Sequence, residues 1–171
     1  MGHGGDKGVL LPRVIASGRE WLRRQGMQLC VEGLPECAEG PFTLMSVWVV
    51  GEASWVQEPD VSRRMMCLRV KIPLLCQVRD SHGCMHCARA WVEVDAAVHL
   101  SGSLAECWRS QMLVHPCVRL VCPPCTSCDG CFDVQLEILV ECWMVHWEHC
   151  QAAPQKPECP PMPLYPQPRR E

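Results

Sequence analysis

Between Met66 and Trp147 the chain alternates apolar and polar residues with a period of two, which leaves few folds open to it. The even positions of the first run are Met66, Leu68, Val70, Ile72, Leu74, Cys76 and Val78, and Arg69, Lys71, Gln77 and Arg79 stand between them. Successive side chains of a strand point to opposite faces, so this period defines a strand with one buried face rather than a helix. The same parity returns in Ala88, Ala90, Val92, Val94, Ala96, Val98 and Leu100, and again in Phe132, Val134, Leu136, Ile138, Val140, Cys142 and Met144. A further run surrounds Pro116. The expected fold is all-β, an antiparallel, sandwich-like domain over residues 66–150 built on a four-stranded meander.

The even-numbered face of that meander needs a cover, since each aliphatic side chain removed from water contributes about 1.5–3 kcal/mol. The N-terminal segment, residues 1–65, offers one. Met27, Leu29 and Val31 alternate with polar neighbours in a strand at about 27–32, which Gly33 and Pro35 stop. A second strand at about 42–50 is apolar on both faces, as expected of one inside a sheet or between layers. Over residues 13–25, Val14, Ile15, Gly18, Trp21, Leu22 and Gln25 share one helical face. A short N-terminal helix is one expectation there and an extended arm the other, because Ser17 and Gly18 weaken the centre of a helix. Pro73 and Pro116 lack the N–H that a ladder requires, so each is expected at an edge or a bulge. Residues 151–171 hold seven prolines and are expected to form an extended, disordered tail.

A chain of 171 residues is long enough for one domain with a sizeable core. Its formal charge of -3 supplies no strong positive field for phosphate backbones, so nucleic acid is not an expected partner. The first residues are polar and glycine-rich, and no apolar run approaches the length of a membrane span. The expectation is synthesis in the cytoplasm and no membrane partner. No phosphate-cradling glycine loop, nucleophile elbow or HExxH sequence is present, and the chain is expected to be non-catalytic. His146, Glu148 and His149 lie close to Cys142 in sequence, but on a strand His146 and His149 point to opposite faces. Trp91, Trp143 and Trp147 share the outward parity and are expected either to form a partner surface or to be covered.

Fifteen cysteines are the unusual feature of the composition, and the odd number prevents complete pairing within one chain. Six of them fall at regular spacing: Cys84-x2-Cys87 in one connection, then Cys122-x2-Cys125-x2-Cys128-x2-Cys131 in another. Alternate turns of a meander lie at the same end of the sheet, so the loops at 82–87 and 122–131 are expected to meet, with His82 and His86 beside them. Four thiolates, or three with an imidazole, suit tetrahedral zinc. A structural zinc site at Cys84, Cys87, Cys122, Cys125, Cys128 and Cys131 is therefore one expectation. The other is dispersed thiols that cross-link chains on oxidation, since further cysteines stand throughout the sequence at Cys30, Cys37, Cys67, Cys107, Cys117, Cys150 and Cys159.

Three stretches within residues 66–147 resemble a known family. These are 70–80 (VKIPLLCQVRD), 106–122 (opening ECWR and closing PCVRLVC) and 132–143 (FDVQLEILVECW). They are similar to the SPOCS-type β domain of sporulation and spore-coat-associated proteins of endospore-forming bacteria. The resemblance implies a non-catalytic interaction domain used in assembling spore layers, with other proteins as partners, no cofactor and a final location in the spore surface layers. It brings no catalytic residues, and a LysM-type peptidoglycan-binding segment is missing from the sequence.

Overall fold

The computed structural model describes residues 9–57, 65–102 and 111–150, and within them every regular element is a strand. In chain order these are β1 Val9–Cys30, β2 Phe42–Val49, β3 Ser54–Gln57, β4 Met65–Arg79, β5 Met85–His99, β6 Ser101–Gly102, β7 Gln111–Leu120, β8 Cys125–Ser127 and β9 Cys131–Cys150. One sheet has the order β6-β1-β9-β7. In the other, β4 carries β5 along one edge and both β3 and β2 along the other, with β8 outside β2. All these pairings are antiparallel. The all-β sandwich expected from the sequence is thus present, and the tail at 151–171 lies outside the described residues.

The parity read from the sequence is the burial pattern. Along β5 every even residue from Ala88 to Val98 is buried and every odd one is exposed. Leu68, Val70, Ile72, Leu74, Cys76 and Val78 of β4 face Phe132, Val134, Leu136, Ile138 and Val140 of β9 within a single hydrophobic core. The meander itself, however, is divided. Its first two strands pair as β4–β5 in one sheet and its last two as β7–β9 in the other. Two hairpins laid face to face bury each other's even sides, so no separate cover is needed. The earlier strands instead widen the sheets, β1 alongside β9 and β2 alongside β4.

No helix occupies residues 13–25; they are part of the long strand β1, as is the strand expected at 27–32, which ends at Cys30. Register shifts between Val14 and Ala16 and between Arg24 and Met27 mark bulges against β9, the second containing Gly26 at φ 64°. Each bulge inserts residues that break the two-residue period. The buried positions consequently fall as Ile15, Ala16, Leu22 and Leu29, a doublet-and-gap pattern that imitates a helix face. β2 is interior to its sheet, but Trp48 on it is exposed; a third shift, between Leu44 and Ser46, explains its apolar residues at adjacent positions.

Both prolines sit where their missing N–H costs nothing. Pro116 lies on β7, the edge of its sheet. Pro73 lies on β4 at the handover between β3, which pairs with residues 68–71, and β2, which pairs with residues 74–79. Side chains close the seam between β1 and the outer edge of β5, which the backbone of Glu32 also bridges at Arg89. Glu20 accepts from the Ala97 N–H, and Arg24 Nη2 donates to the Asp95 carbonyl at 3.3 Å. Gly18 lets the strands approach there, because a Cβ would overlap the His99 carbonyl. The three tryptophans do not form one surface: Trp91 lies on the outside of one sheet and Trp143 and Trp147 are on the other, Trp143 against the His115 ring at 5.9 Å.

Candidate functional site

The cysteine-bearing connections converge on one end of the sandwich. The β4–β5 turn is built on Asp80, whose buried carboxylate accepts from the Cys84 N–H at 2.8 Å, the His82 N–H at 3.0 Å and His86 Nε2 at 2.8 Å. A carboxylate at the first residue of a turn can satisfy backbone donors two and four residues further on in this way, which fixes the tip of the hairpin. Asp129 does the same in the other connection, accepting from the Ser127 hydroxyl at 2.6 Å and the Cys131 N–H at 3.0 Å.

Between the two loops lies the segment 31–41, which carries Cys37. The Ser81 N–H donates to the Glu39 carbonyl at 2.9 Å, and His82 Nε2 lies 3.3 Å from Glu39 Oε2. On its other flank a Cβ at Gly40 would come within 2.7 Å of the Cys128 carbonyl oxygen, and the Val31 N–H donates to the Gly130 carbonyl at 3.0 Å. The loops therefore share an end, as the sequence predicts, but they meet through this intervening segment.

That arrangement bears directly on the six cysteines expected to gather. Cys125, Leu44, Val78 and His86 form one row across β8, β2, β4 and β5. Three inter-strand steps of roughly 4.8 Å separate the backbone of the row's ends by about 14 Å. Cys131 is joined to Cys30 in a disulfide that closes the end of the β1–β9 ladder. Cys84, Cys87, Cys122 and Cys128 are exposed free thiols, Cys125 is half-buried, and Cys37 and Cys117 are also exposed. Among the described residues no group of three or more His, Cys, Asp or Glu side chains is placed to hold a metal ion. Cys107 and Cys159, and the side chain of Cys150, lie outside the described residues. At the opposite end of β9, Glu148 pairs with Arg13 at 2.8 Å, and His146 stands opposite Arg13 in register.

Two thiols point the other way. Cys76 and Cys142 are wholly buried in the core, and burial pushes each up to about 11, with the Glu20 carboxylate adding to the effect at Cys142. At pH 8 a thiol of that kind is thiolate to only about one part in a thousand. They serve as small apolar side chains.

The pairing that the sequence reading missed is Cys30–Cys131. Its signal was present: Leu29 and Phe132 are inward-facing core residues, and the neighbouring cysteines of outward parity stand close to a turn glycine, Cys30 three residues before Gly33 and Cys131 directly after Gly130. No family model matches this chain, and neither the curated proteins nor the solved structures gave a match.

The hydrogen bond from His86 is the main cause that holds the Asp80 carboxyl below the usual range, with the Cys84 and His82 amides assisting against its burial. A folded-state pKa below the unfolded value favours the fold once the carboxylate is ionised. This contribution is complete above the unfolded pKa and is lost as pH falls through the folded one. Asp80→Asn is therefore expected to lower the melting temperature at pH 7 and to lower it less at pH 3. Thermal melts of parent and variant at the two pH values check this; an equal gap at both would mean that ionisation of Asp80 does not support the hairpin.

Proposed function

We propose that this chain is a non-catalytic structural or adaptor protein that helps to assemble a spore layer through protein–protein contacts and thiol cross-links, including disulfides between its own copies. The observation that carries the cross-linking is the group of exposed thiols, Cys37, Cys84, Cys87, Cys122 and Cys128, held at and near one end of the sandwich. A thiol attacks or is attacked only where it is accessible and can ionise. These positions meet the first requirement, whereas Cys76 and Cys142 meet neither. The spore layer as the setting is supported by the resemblance of residues 66–147 to SPOCS-type domains. Synthesis in a reducing compartment followed by oxidation in the finished layer is compatible with exposed thiols of this kind.

The test is alkylation and oxidation of the full chain. Cys37, Cys84, Cys87, Cys122 and Cys128 are expected to react rapidly with iodoacetamide at pH 8, and Cys76 and Cys142 only after denaturant is added. On exposure to oxidant the parent is expected to form disulfide-linked multimers. Changing Cys37, Cys84, Cys87, Cys122, Cys125 and Cys128 to Ser is expected to abolish most of them. Metal content measured on the same samples decides the alternative of a structural zinc. Stoichiometric zinc in the parent, lost in the serine variant and protecting the loop thiols from alkylation until a chelator is added, would replace cross-linking as the role of these cysteines. Fractionation of the tagged chain from sporulating cells tests the setting, and its absence from the spore layers would remove that part of the proposal.

A further inference from the structure

Cys122 and Cys125 flank Pro123 and Pro124 in the connection from β7 to β8, and the sandwich pins both ends of that turn. At the near end the Val121 N–H donates to the Gln135 carbonyl of β9 at 2.9 Å. At the far end Cys125 is registered opposite Leu44 of β2 and packs against the core. Between these anchors the Cys125 thiol folds back, its Sγ donating to the Cys122 carbonyl at 3.2 Å. Cys122 is exposed, and its Sγ lies 4.0 Å from the side-chain amide of Gln135. That amide, turned so that its oxygen accepts from Arg23 Nε at 2.8 Å, presents its NH2 toward the sulfur. One accessible thiol and one sheltered thiol thus share a fixed turn. Burial, and then the proximity of Cys122, raise the Cys125 thiol above its ordinary range, which agrees with Cys122 reacting first.

The other Cys-x2-Cys spacings are not arranged in this way. Cys131 is already bonded to Cys30. Cys87 stands on the outer face of β5, whereas Cys84 lies in the turn before that strand. Cys125 is the first residue of β8 and packs against the core, whereas Cys128 lies beyond the end of that strand and is exposed.

We propose that Cys122 and Cys125 form a dithiol–disulfide exchange site that takes oxidising equivalents from a low-molecular-weight disulfide such as glutathione disulfide. In the first step the Cys122 thiolate attacks one sulfur of the small disulfide, the sulfur–sulfur bond of that molecule breaks, and its second half leaves as a thiolate that takes up a proton. In the next step the Cys125 thiolate attacks the Cys122 sulfur, the mixed disulfide breaks, and the remaining small thiol departs. In sum the two cysteines lose two protons and two electrons, and the small disulfide becomes two thiols. This goes beyond cross-linking, because its product is a bond within one chain. Once oxidised, the turn withdraws Cys122 and leaves Cys37, Cys84, Cys87 and Cys128 for contacts between chains.

The full chain is treated with glutathione disulfide, quenched in acid, alkylated and analysed by peptide mass spectrometry, with circular dichroism to show that each variant keeps its sheets. The parent is expected to contain a Cys122–Cys125 disulfide in the monomer and no glutathione at either position. Cys125→Ser is expected to retain glutathione on Cys122, since the resolving thiol is gone. Cys122→Ser is expected to take up glutathione at Cys125 about tenfold more slowly than Cys125→Ser does at Cys122. Glutathione retained on Cys122 in the parent, a Cys125–Cys128 disulfide, equal rates in the two variants, or no reaction at all would each overturn the assignment. Cross-linking is read in the multimers and exchange in the monomer peptides, so either proposal can fail without the other.

Discussion

Leu136→Asp is expected to abolish folding, while Glu93→Lys on the opposite parity leaves the fold intact. Leu136 is fully buried on β9 and lies in the core between the two sheets. An aspartate there has no cationic partner among the core side chains, which are apolar throughout. It must either be buried as a charge or fold in its protonated form. The effective penalty for an ion in such a place is several kcal/mol. A domain of this size is stable by only about 5–15 kcal/mol, and the lost leucine packing adds a further 2–5 kcal/mol. Glu93 is exposed on β5 and stands opposite Lys71, with Arg69 at 3.6 Å. Its replacement by lysine sets like charges across the ladder, an effect of less than about 1 kcal/mol. Urea midpoints for the two variants check the contrast. Similar shifts in both would mean that burial does not follow parity, and the pairing of the sheets would then be wrong as well.

The same parity shows how much a single sequence can reveal. It identified β4, β5 and β9 and their inward residues, because in those strands one face is buried in regular alternation, which breaks only late in β9 where Met144 and Val145 are both buried. It did not reveal which hairpin pairs with which. Alternation specifies a face but not a neighbour, so four strands of equal parity are compatible with one sheet or with two hairpins packed together. β1 was illegible for a different reason: its bulges at Ile15 and at Gln25–Gly26 shift the inward parity twice, and the resulting spacing coincides with that of a helix. The site was legible in part. Turn order alone places the loops at 82–87 and 122–131 at one end. The segment that lies between them, 31–41, touches both loops and has no alternation to announce where it lies.

Removing the Cys30–Cys131 disulfide, by reduction or by changing both residues to Ser, is expected to destabilise the fold by about 2–5 kcal/mol. The bond joins residues 101 apart in sequence that are already opposite one another at the end of the β1–β9 ladder. The ladder would hold them together in the folded chain without it. Most of the effect therefore acts on the unfolded chain, which the bond deprives of conformations, and the cost of closing a loop grows only slowly with its length. The urea midpoint is expected to fall in the double variant, and reduced parent protein should match it. Cys122→Ser should leave the midpoint unchanged, since the exchange turn carries no long-range link. A local consequence follows from the neighbouring contacts. The Val31 N–H bond to the Gly130 carbonyl lies one residue beyond the disulfide and helps to hold segment 31–41 against the β8 connection. Without the disulfide that end should open below the threshold of global unfolding, in the manner of a strand terminus that has lost its clamp. Cys125, half-buried in the intact fold, should then alkylate faster while Cys76 and Cys142 remain protected. If the double variant kept both the parent's midpoint and its slow reaction at Cys125, the bond would contribute nothing to the fold, and Cys30 and Cys131 would have to be counted among the thiols available for cross-linking.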